Sequence, residues 1–60
     1  MIVYQTVKQF MYRVIITNVK NGNTMANYLI KTEPEYIEIY SKGIHKNYPS
    51  SIIKVDITKA

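Results

Sequence analysis

Three of the chain's six tyrosines lie within residues 35–49, together with the single histidine and two of the seven lysines. Nucleic-acid bases stack on aromatic rings while nearby lysines neutralise phosphates. Tyrosine also supplies large contact area at protein interfaces, because its side chain has few rotatable bonds. The segment therefore predicts a binding surface. Its candidate residues, drawn from the whole chain, are Arg13, Lys31, Tyr36, Tyr40, Lys42, His45, Lys46, Tyr48 and Lys54.

Catalysis is the weaker interpretation of the same residues. The chain has no cysteine and one histidine, His45, which falls in a predicted hairpin loop. Glu33, Glu35 and Glu38 are close enough in sequence for acid–base work, but two of them flank the turn residue Pro34 and the third lies on a predicted outer strand face. A nuclease using His45 and one glutamate stays open as an alternative. We expect no enzyme, no catalytic residue, no cofactor and no metal site.

The charge balance suits an anionic partner. Eight basic residues against four acidic ones give a net charge of +4, with a pI near 9.5. Only one basic residue is an arginine, the side chain that does most bidentate recognition of phosphate and guanine. The composition therefore favours non-specific attraction to phosphate over readout of bases.

The length of 60 residues predicts one domain, spanning 1–60, near the lower size limit for independent folding. No apolar run approaches the roughly 18 residues of a membrane span. Residues 1–7 have no positively charged start and lead to no cleavage site of the secretory type. We therefore expect a cytoplasmic protein that does not enter the membrane.

The elements that position the candidate residues are predicted to be strands, because valine, isoleucine, threonine, tyrosine and phenylalanine dominate the chain. Four strands are expected, at 11–20, 24–32, 35–41 and 52–58. Between the first two, a three-residue loop at 20–22 pairs Val14 with Tyr28 and Ile16 with Ala26. It uses Gly22 in a left-handed conformation. A two-residue turn would split the two apolar sets, so we prefer the longer loop.

The alternation of residues along each strand predicts which side chains face inward. Ile37 and Ile39 alternate with Tyr36 and Tyr40, so the tyrosines are expected on the outer face, together with Ile15, Met25 and Leu29. Residues 2–10 fit either a strand with a bend near Lys8 or a helix. The predicted core consists of Val14, Ile16, Ala26, Tyr28, Ile30, Ile37, Ile39, Ile53, Val55 and Ile57.

These predictions describe an all-β or nearly all-β fold: a small twisted antiparallel meander of four to five strands. Curling into an open barrel, the N-terminal segment or a second copy could cover its apolar face. A polar turn before the strand sequence Ile-Ile-Lys-Val-Asp-Ile (52–57) resembles small barrels of the Sm-like and SH3-like kinds, without their glycine signatures. Unpaired edges and two partly apolar faces also favour a homodimer.

Two functions fit this fold. The first is low-specificity nucleic-acid binding through Tyr36, Tyr40 and Tyr48 together with neighbouring cations. The second is a protein-binding inhibitor or regulator that acts through the same face or through an edge strand. In size the chain resembles small phage or mobile-element proteins that block a host factor. The DNA-mimicking members of that group are strongly acidic, whereas this chain is basic.

Overall fold

The computed structural model describes residues 8–60, which form a three-stranded antiparallel sheet and one helix. The elements are β1 (Phe10–Asn18), β2 (Thr24–Thr32), α1 (Tyr36–Asn47) and β3 (Ile53–Lys59). The strand order is β2-β1-β3, so β1 lies at the centre. Because β2 and β3 are both antiparallel to β1, they run parallel to each other and need a crossover between them. The helix α1 provides that crossover.

The predicted register of the first hairpin is confirmed. Val14 pairs with Tyr28 and Ile16 pairs with Ala26, which keeps the apolar side chains of both strands on one face. The prediction was wrong about what sets this register. Thr17 pairs with Thr24, which leaves Met25 as the extra residue of a β-bulge.

The loop between β1 and β2 is correspondingly longer than predicted. The amide of Asn18 donates to the carbonyl of Asn23 at 2.8 Å, so four residues lie between the closing pair. Gly22 has a φ of 72°, as the sequence predicts, and its amide donates to the Asn18 carbonyl. Two asparagine side chains accept backbone N–H groups in the loop, Asn18 from Lys20 and Asn21 from Asn23.

The strand predicted at 35–41 is wrong, because residues 36–47 form α1. Alternation of apolar and polar residues holds for only seven positions there. Apolar residues at helical spacing continue from Tyr36 through Tyr40 to Ile44. Pro34 favours the start of a helix, and Glu38 and Lys42 form an i,i+4 ion pair at 3.1 Å. Glutamates near the start and lysines near the end also match the helix dipole.

The sheet has two different faces. One face carries Val14 with its neighbours Tyr28 and Ile57, and α1 packs on this side, because Tyr28 contacts Tyr40. We call it the helix-side face. The other, the open face, carries the alternate residues of each strand, among them Met11, Arg13, Ile15, Asn27, Leu29, Lys31, Lys54, Asp56 and Thr58.

The core lies between the helix-side face and α1, and it is small. Among residues 8–60, the fully buried hydrophobic side chains are Val14 and Ile53. Most other predicted core residues are half-buried, namely Ile16, Ala26, Tyr28, Ile30, Ile37, Val55 and Ile57. The prediction is wrong for Ile39, which is 61% exposed. The helix therefore covers the sheet incompletely.

The mostly-β antiparallel class is confirmed, with three strands and a helix in residues 8–60 where four to five strands were predicted. A curled barrel is not seen in this part of the chain, since β2 and β3 are both edge strands. The prediction for residues 2–10 falls mostly outside the described residues. In this part of the chain, α1 lacks the length and apolar character needed to span a bilayer.

Two glycine substitutions test the backbone conformations. Gly22→Ala should lower the free energy of unfolding by about 1–2 kcal/mol, because alanine disfavours the left-handed conformation. Gly43→Ala should raise it by about 0.5–1 kcal/mol, because alanine is the better helix former and no atom lies within 4 Å of the added methyl group. Urea unfolding at one fixed protein concentration measures both. Equal effects of the two changes would contradict the assignment of loop and helix.

Candidate functional site

An open apolar groove of about 610 Å³ lies between α1 and the end of the sheet near the β1–β2 loop. The sheet contributes residues from all three strands, and α1 contributes one stripe of its surface. We call this feature the groove. Its lining residues are Ile16, Met25, Ala26, Tyr36, Ile39, Tyr40, Gly43, Ile44, Asn47, Tyr48 and Ile53.

The helical part of the lining follows directly from the spacing of the sequence. Positions 36, 39, 40, 43, 44 and 47 are three or four residues apart, so they lie on one side of α1. Along this stripe Tyr36 is 47% exposed and Ile39 is 61% exposed, whereas Ile44 is half-buried. The stripe therefore has one margin against the sheet and another margin in solvent.

Met25 and Tyr48 complete the solvent-exposed part of the groove, with exposures of 57% and 54%. Met25 is at this position because of the bulge, which removes it from the regular alternation of β2. Neither Met25 nor Ile39 was predicted to line a site. Ile39 was missed because residues 35–41 were interpreted as a strand with Ile39 on its inner face. Met25 was missed because a one-residue bulge gives no signal in the sequence.

Gly43 is another lining residue that was not among the predicted site residues. It lies on the groove side of α1, and a methyl group added there would meet no atom within 4 Å. Its helical backbone does not require glycine, unlike that of Gly22. The effect of Gly43 is thus to leave a hollow on the helix surface beside Ile39.

A contact between two tyrosine hydroxyls holds α1 to the sheet. The hydroxyls of Tyr28 and Tyr40 are hydrogen-bonded, and the Tyr36 ring lies 6.4 Å from the Tyr40 ring, centroid to centroid. Burial, followed by the hydrogen bond to Tyr28, raises the pKa of Tyr40 from 10.0 to about 12. Tyr40 is therefore engaged in the contact with the sheet, while Tyr36 and Tyr48 are the more exposed rings of the groove, at 47% and 54%.

The C-terminal end of α1 positions His45 and Tyr48. The Tyr48 amide donates to the Ile44 carbonyl at 3.0 Å, and Nδ1 of His45 lies 3.0 Å from the Tyr48 carbonyl oxygen. Since a carbonyl can only accept, Nδ1 is the donor. The predicted hairpin loop around His45 is therefore wrong, because the residue is helical and fastens the turn at Pro49.

Three of the predicted binding cations lie on the open face, away from the tyrosines. Arg13 pairs with Leu29 and Thr58, Lys31 pairs with Met11, and Lys54 pairs with Thr17, which places all three opposite the helix-side face. Nη1 of Arg13 donates to Asn27 at 2.7 Å, and Lys54 lies 3.9 Å from Asp56. The sheet itself separates these cations from Tyr36, Tyr40 and Tyr48.

The other two predicted cations lie on α1. Lys42 is paired with Glu38, and both side chains are more than three-quarters exposed. Lys46 is exposed in the last turn and, within residues 8–60, takes part in neither ion pair. The expected ring of lysines around an aromatic face is therefore reduced to Lys46, which lies seven residues after Ile39 and thus on the same side of α1.

The described residues do not bring together three side chains of histidine, aspartate or glutamate in a geometry suited to a metal ion. The three glutamates of residues 33–38 are spread over a turn and the first turns of α1. The groove is lined mainly by apolar side chains, and its hydrogen-bonding side chains are those of the tyrosines and Asn47.

The raised pKa of Tyr40 tests how α1 is placed. The unfolded chain loses this proton near pH 10 and the folded chain near pH 12, so the free energy of unfolding should fall as pH rises through this interval. Below pH 10 the contribution is fully present. Ionised tyrosine absorbs in the near ultraviolet, so the difference in tyrosinate absorbance between wild type and Tyr40→Phe reports the ionisation of Tyr40. This difference should appear with a midpoint near pH 12, and circular dichroism at each pH verifies that both proteins remain folded.

Tyr28→Phe provides the control for this titration. It removes the hydroxyl partner but retains most of the burial, so the pKa of Tyr40 should fall part of the way toward its ordinary value. A wild-type difference titration centred near pH 10 would contradict the placement of Tyr40 against Tyr28.

The chain was also compared with known proteins. It matches no protein-family model, no curated protein and no solved structure.

Proposed function

We propose that this protein is a non-enzymatic binding module that receives a segment of another polypeptide in the groove. The segment would present apolar side chains at its centre and charges of both signs at its margins. The observation that carries the proposal is the solvent-exposed apolar stripe of Tyr36, Ile39 and Tyr48 beside an open hollow at Gly43.

The size of the exposed apolar surface supports a binding role. Met25, Tyr36, Ile39 and Tyr48 are each about half exposed, and all four line the groove. Large apolar side chains that are exposed together on a small protein often mark a binding site. Tyrosine in particular is enriched among residues that dominate binding energies at protein interfaces.

The charge arrangement at the groove supports a polypeptide over a nucleic acid. Stacking of bases on tyrosines gains affinity when cations hold the phosphates beside the rings. Here Arg13, Lys31 and Lys54 lie on the opposite face of the sheet, and Glu35 stands at the start of α1 near Tyr36. The margin of the groove thus carries both signs of charge, which suits a partner that is not uniformly anionic.

Absence of catalysis remains part of this proposal. Its support is the sequence, which has a single histidine and no cysteine, together with the engagement of Nδ1 of His45 at the end of α1. The expected partner is a short amphipathic segment, helical or extended, with at least two apolar side chains that enter the groove.

Peptides selected from a displayed random library against the purified protein test the proposal. They should bind at the groove and shift the amide resonances of Ile39, Gly43 and Tyr48 more than those of Leu29 and Thr58. A Cβ added at Gly43 meets no atom within 4 Å. Gly43→Leu extends a larger side chain from that position into the hollow, so it should weaken peptide binding at least tenfold.

Thr58→Leu is the matched control, because it adds the same side chain to the exposed open face. It should leave the peptide affinity unchanged. Selected peptides that map to the open face, or that bind Gly43→Leu as tightly as wild type, would contradict the proposal.

A second candidate function rests on the open face. Three cations there, Arg13, Lys31 and Lys54, face one carboxylate, Asp56, and this excess would attract phosphates without stacking. This second candidate function is nucleic-acid binding through cations of the open face, without stacking of bases on Tyr36 or Tyr40.

Fluorescence titration of a labelled single-stranded oligonucleotide at several salt concentrations tests this second function. The double change Arg13→Gln/Lys31→Gln should reduce the slope of log affinity against log salt by about 1.4, because each phosphate contact on a single strand contributes about 0.7. Tyr36→Ala should leave the slope unchanged. An absence of binding at low salt would rule the function out and make the net charge incidental.

A further inference from the structure

We propose that the polypeptide received by the groove is α1 of a second copy of this chain, in a symmetric dimer whose two helices pack antiparallel. The inference rests on the proposed function, because it names the partner of the same groove. A two-fold axis places the same residues on both sides of the interface, so α1 must be complementary to itself.

The charges of α1 are self-complementary in an antiparallel pair. Glu35 directly precedes the first helical residue and Lys46 lies in the last turn, next to the final helical residue Asn47. Neither side chain belongs to the two ion pairs within residues 8–60. An antiparallel pair brings Glu35 of each copy beside Lys46 of the other, whereas a parallel pair would bring like charges together.

The positions of these charges relative to the groove fit that arrangement. Ile39 is four residues after Glu35 and seven before Lys46, so all three lie along one side of α1. This is the solvent margin of the groove, since Ile39, at 61%, is the most exposed large apolar side chain of α1. The two unpaired charges therefore flank the apolar stripe at its two ends.

The shape of the stripe also fits its own copy. A two-fold axis midway between Ile39 and Gly43 places each Ile39 opposite Gly43 of the other helix. The isoleucine is 61% exposed, and a Cβ atom added at the glycine would meet no neighbouring atom within 4 Å. Glycine permits close approach of the two helices, and the same axis places Glu35 within one residue position of Lys46 in the other copy.

Self-association through the open face is less favourable. That face carries Arg13, Lys31 and Lys54 against Asp56, so two copies placed face to face would bring an excess of like charge together. At the groove, by contrast, two copies would bring Glu35 beside Lys46 and would also bury the exposed Ile39. An interface centred on one side of a twelve-residue helix is small, so dissociation in the micromolar range is expected.

Sedimentation equilibrium over a wide range of concentrations is the first measurement. Wild type should populate a dimer at high micromolar concentration. Ile39→Lys should raise the dissociation constant at least tenfold, and the exposure of this side chain argues that the variant still folds. Leu29→Lys is the matched control, since Leu29 is 47% exposed on the open face, and it should dimerise like wild type.

Charge reversal tests the antiparallel orientation. Glu35→Lys and Lys46→Glu should each weaken the dimer about tenfold, because each creates two repulsive contacts in place of two attractive ones. The double change Glu35→Lys/Lys46→Glu should restore the wild-type affinity. An equimolar mixture of the two single variants should form a heterodimer, since one helix then carries only positive charge at these sites and the other only negative charge.

A strict monomer at high micromolar concentration would overturn the inference, as would a dimer that Leu29→Lys disrupts and Ile39→Lys does not. Failure of the double charge reversal to restore dimerisation would overturn the antiparallel arrangement. If the protein is a monomer and removal of residues 1–7 shifts the amide resonances of the groove residues, the occupant of the groove is residues 1–7, and the inference is overturned. Selected peptides that bind the groove of a monomer would sustain the proposed function while this inference fails.

Discussion

The structure depends on covering one apolar sheet face with a single twelve-residue helix. All three strands place apolar residues on the helix-side face, and burial of that surface is the main stabilising term available to a chain without disulfides. The helix meets the face through Tyr40 on Tyr28 and near Ile53, which leaves Val14 and Ile53 as the fully buried hydrophobic residues of residues 8–60. Within residues 8–60, the cover of this face is therefore incomplete.

The groove is the direct consequence of that incomplete cover. Its lining side chains are those that would form a closed core if more protein lay over them, and Ile39, Tyr48 and Met25 instead contact solvent. Apolar surface that one chain leaves exposed to solvent stabilises association with another chain when it is buried between them. This accounts for why fold and proposed function use the same residues. Tyr40 contacts the sheet through Tyr28, whereas Tyr36, one helical turn away, is 47% exposed.

The error over residues 35–41 has an identifiable physical cause. Isoleucine and tyrosine favour strands, and their alternation with glutamate over a few positions fits a half-buried strand. The helix forms because the longer pattern through Ile44, the Glu38–Lys42 ion pair and the matched end charges all agree. A crossover is also needed between the parallel strands β2 and β3, and only the strand order reveals that requirement. The strand preference of isoleucine and tyrosine was therefore outweighed by the helical pattern of the longer segment and by the crossover that the strand order requires.

The sequence by itself determined the antiparallel β character, the pairing of Val14 with Tyr28, the left-handed Gly22 and the inward set Ile53, Val55 and Ile57, because alternation and turn chemistry are local. It also singled out Tyr36 and Tyr48 as candidates for binding. Tertiary structure alone decided that the tyrosines and the cations lie on opposite sides of the sheet, that Met25 enters the groove through a bulge, and that Ile39 is exposed. Those outcomes depend on strand order and helix placement, which arise from contacts between residues distant in sequence.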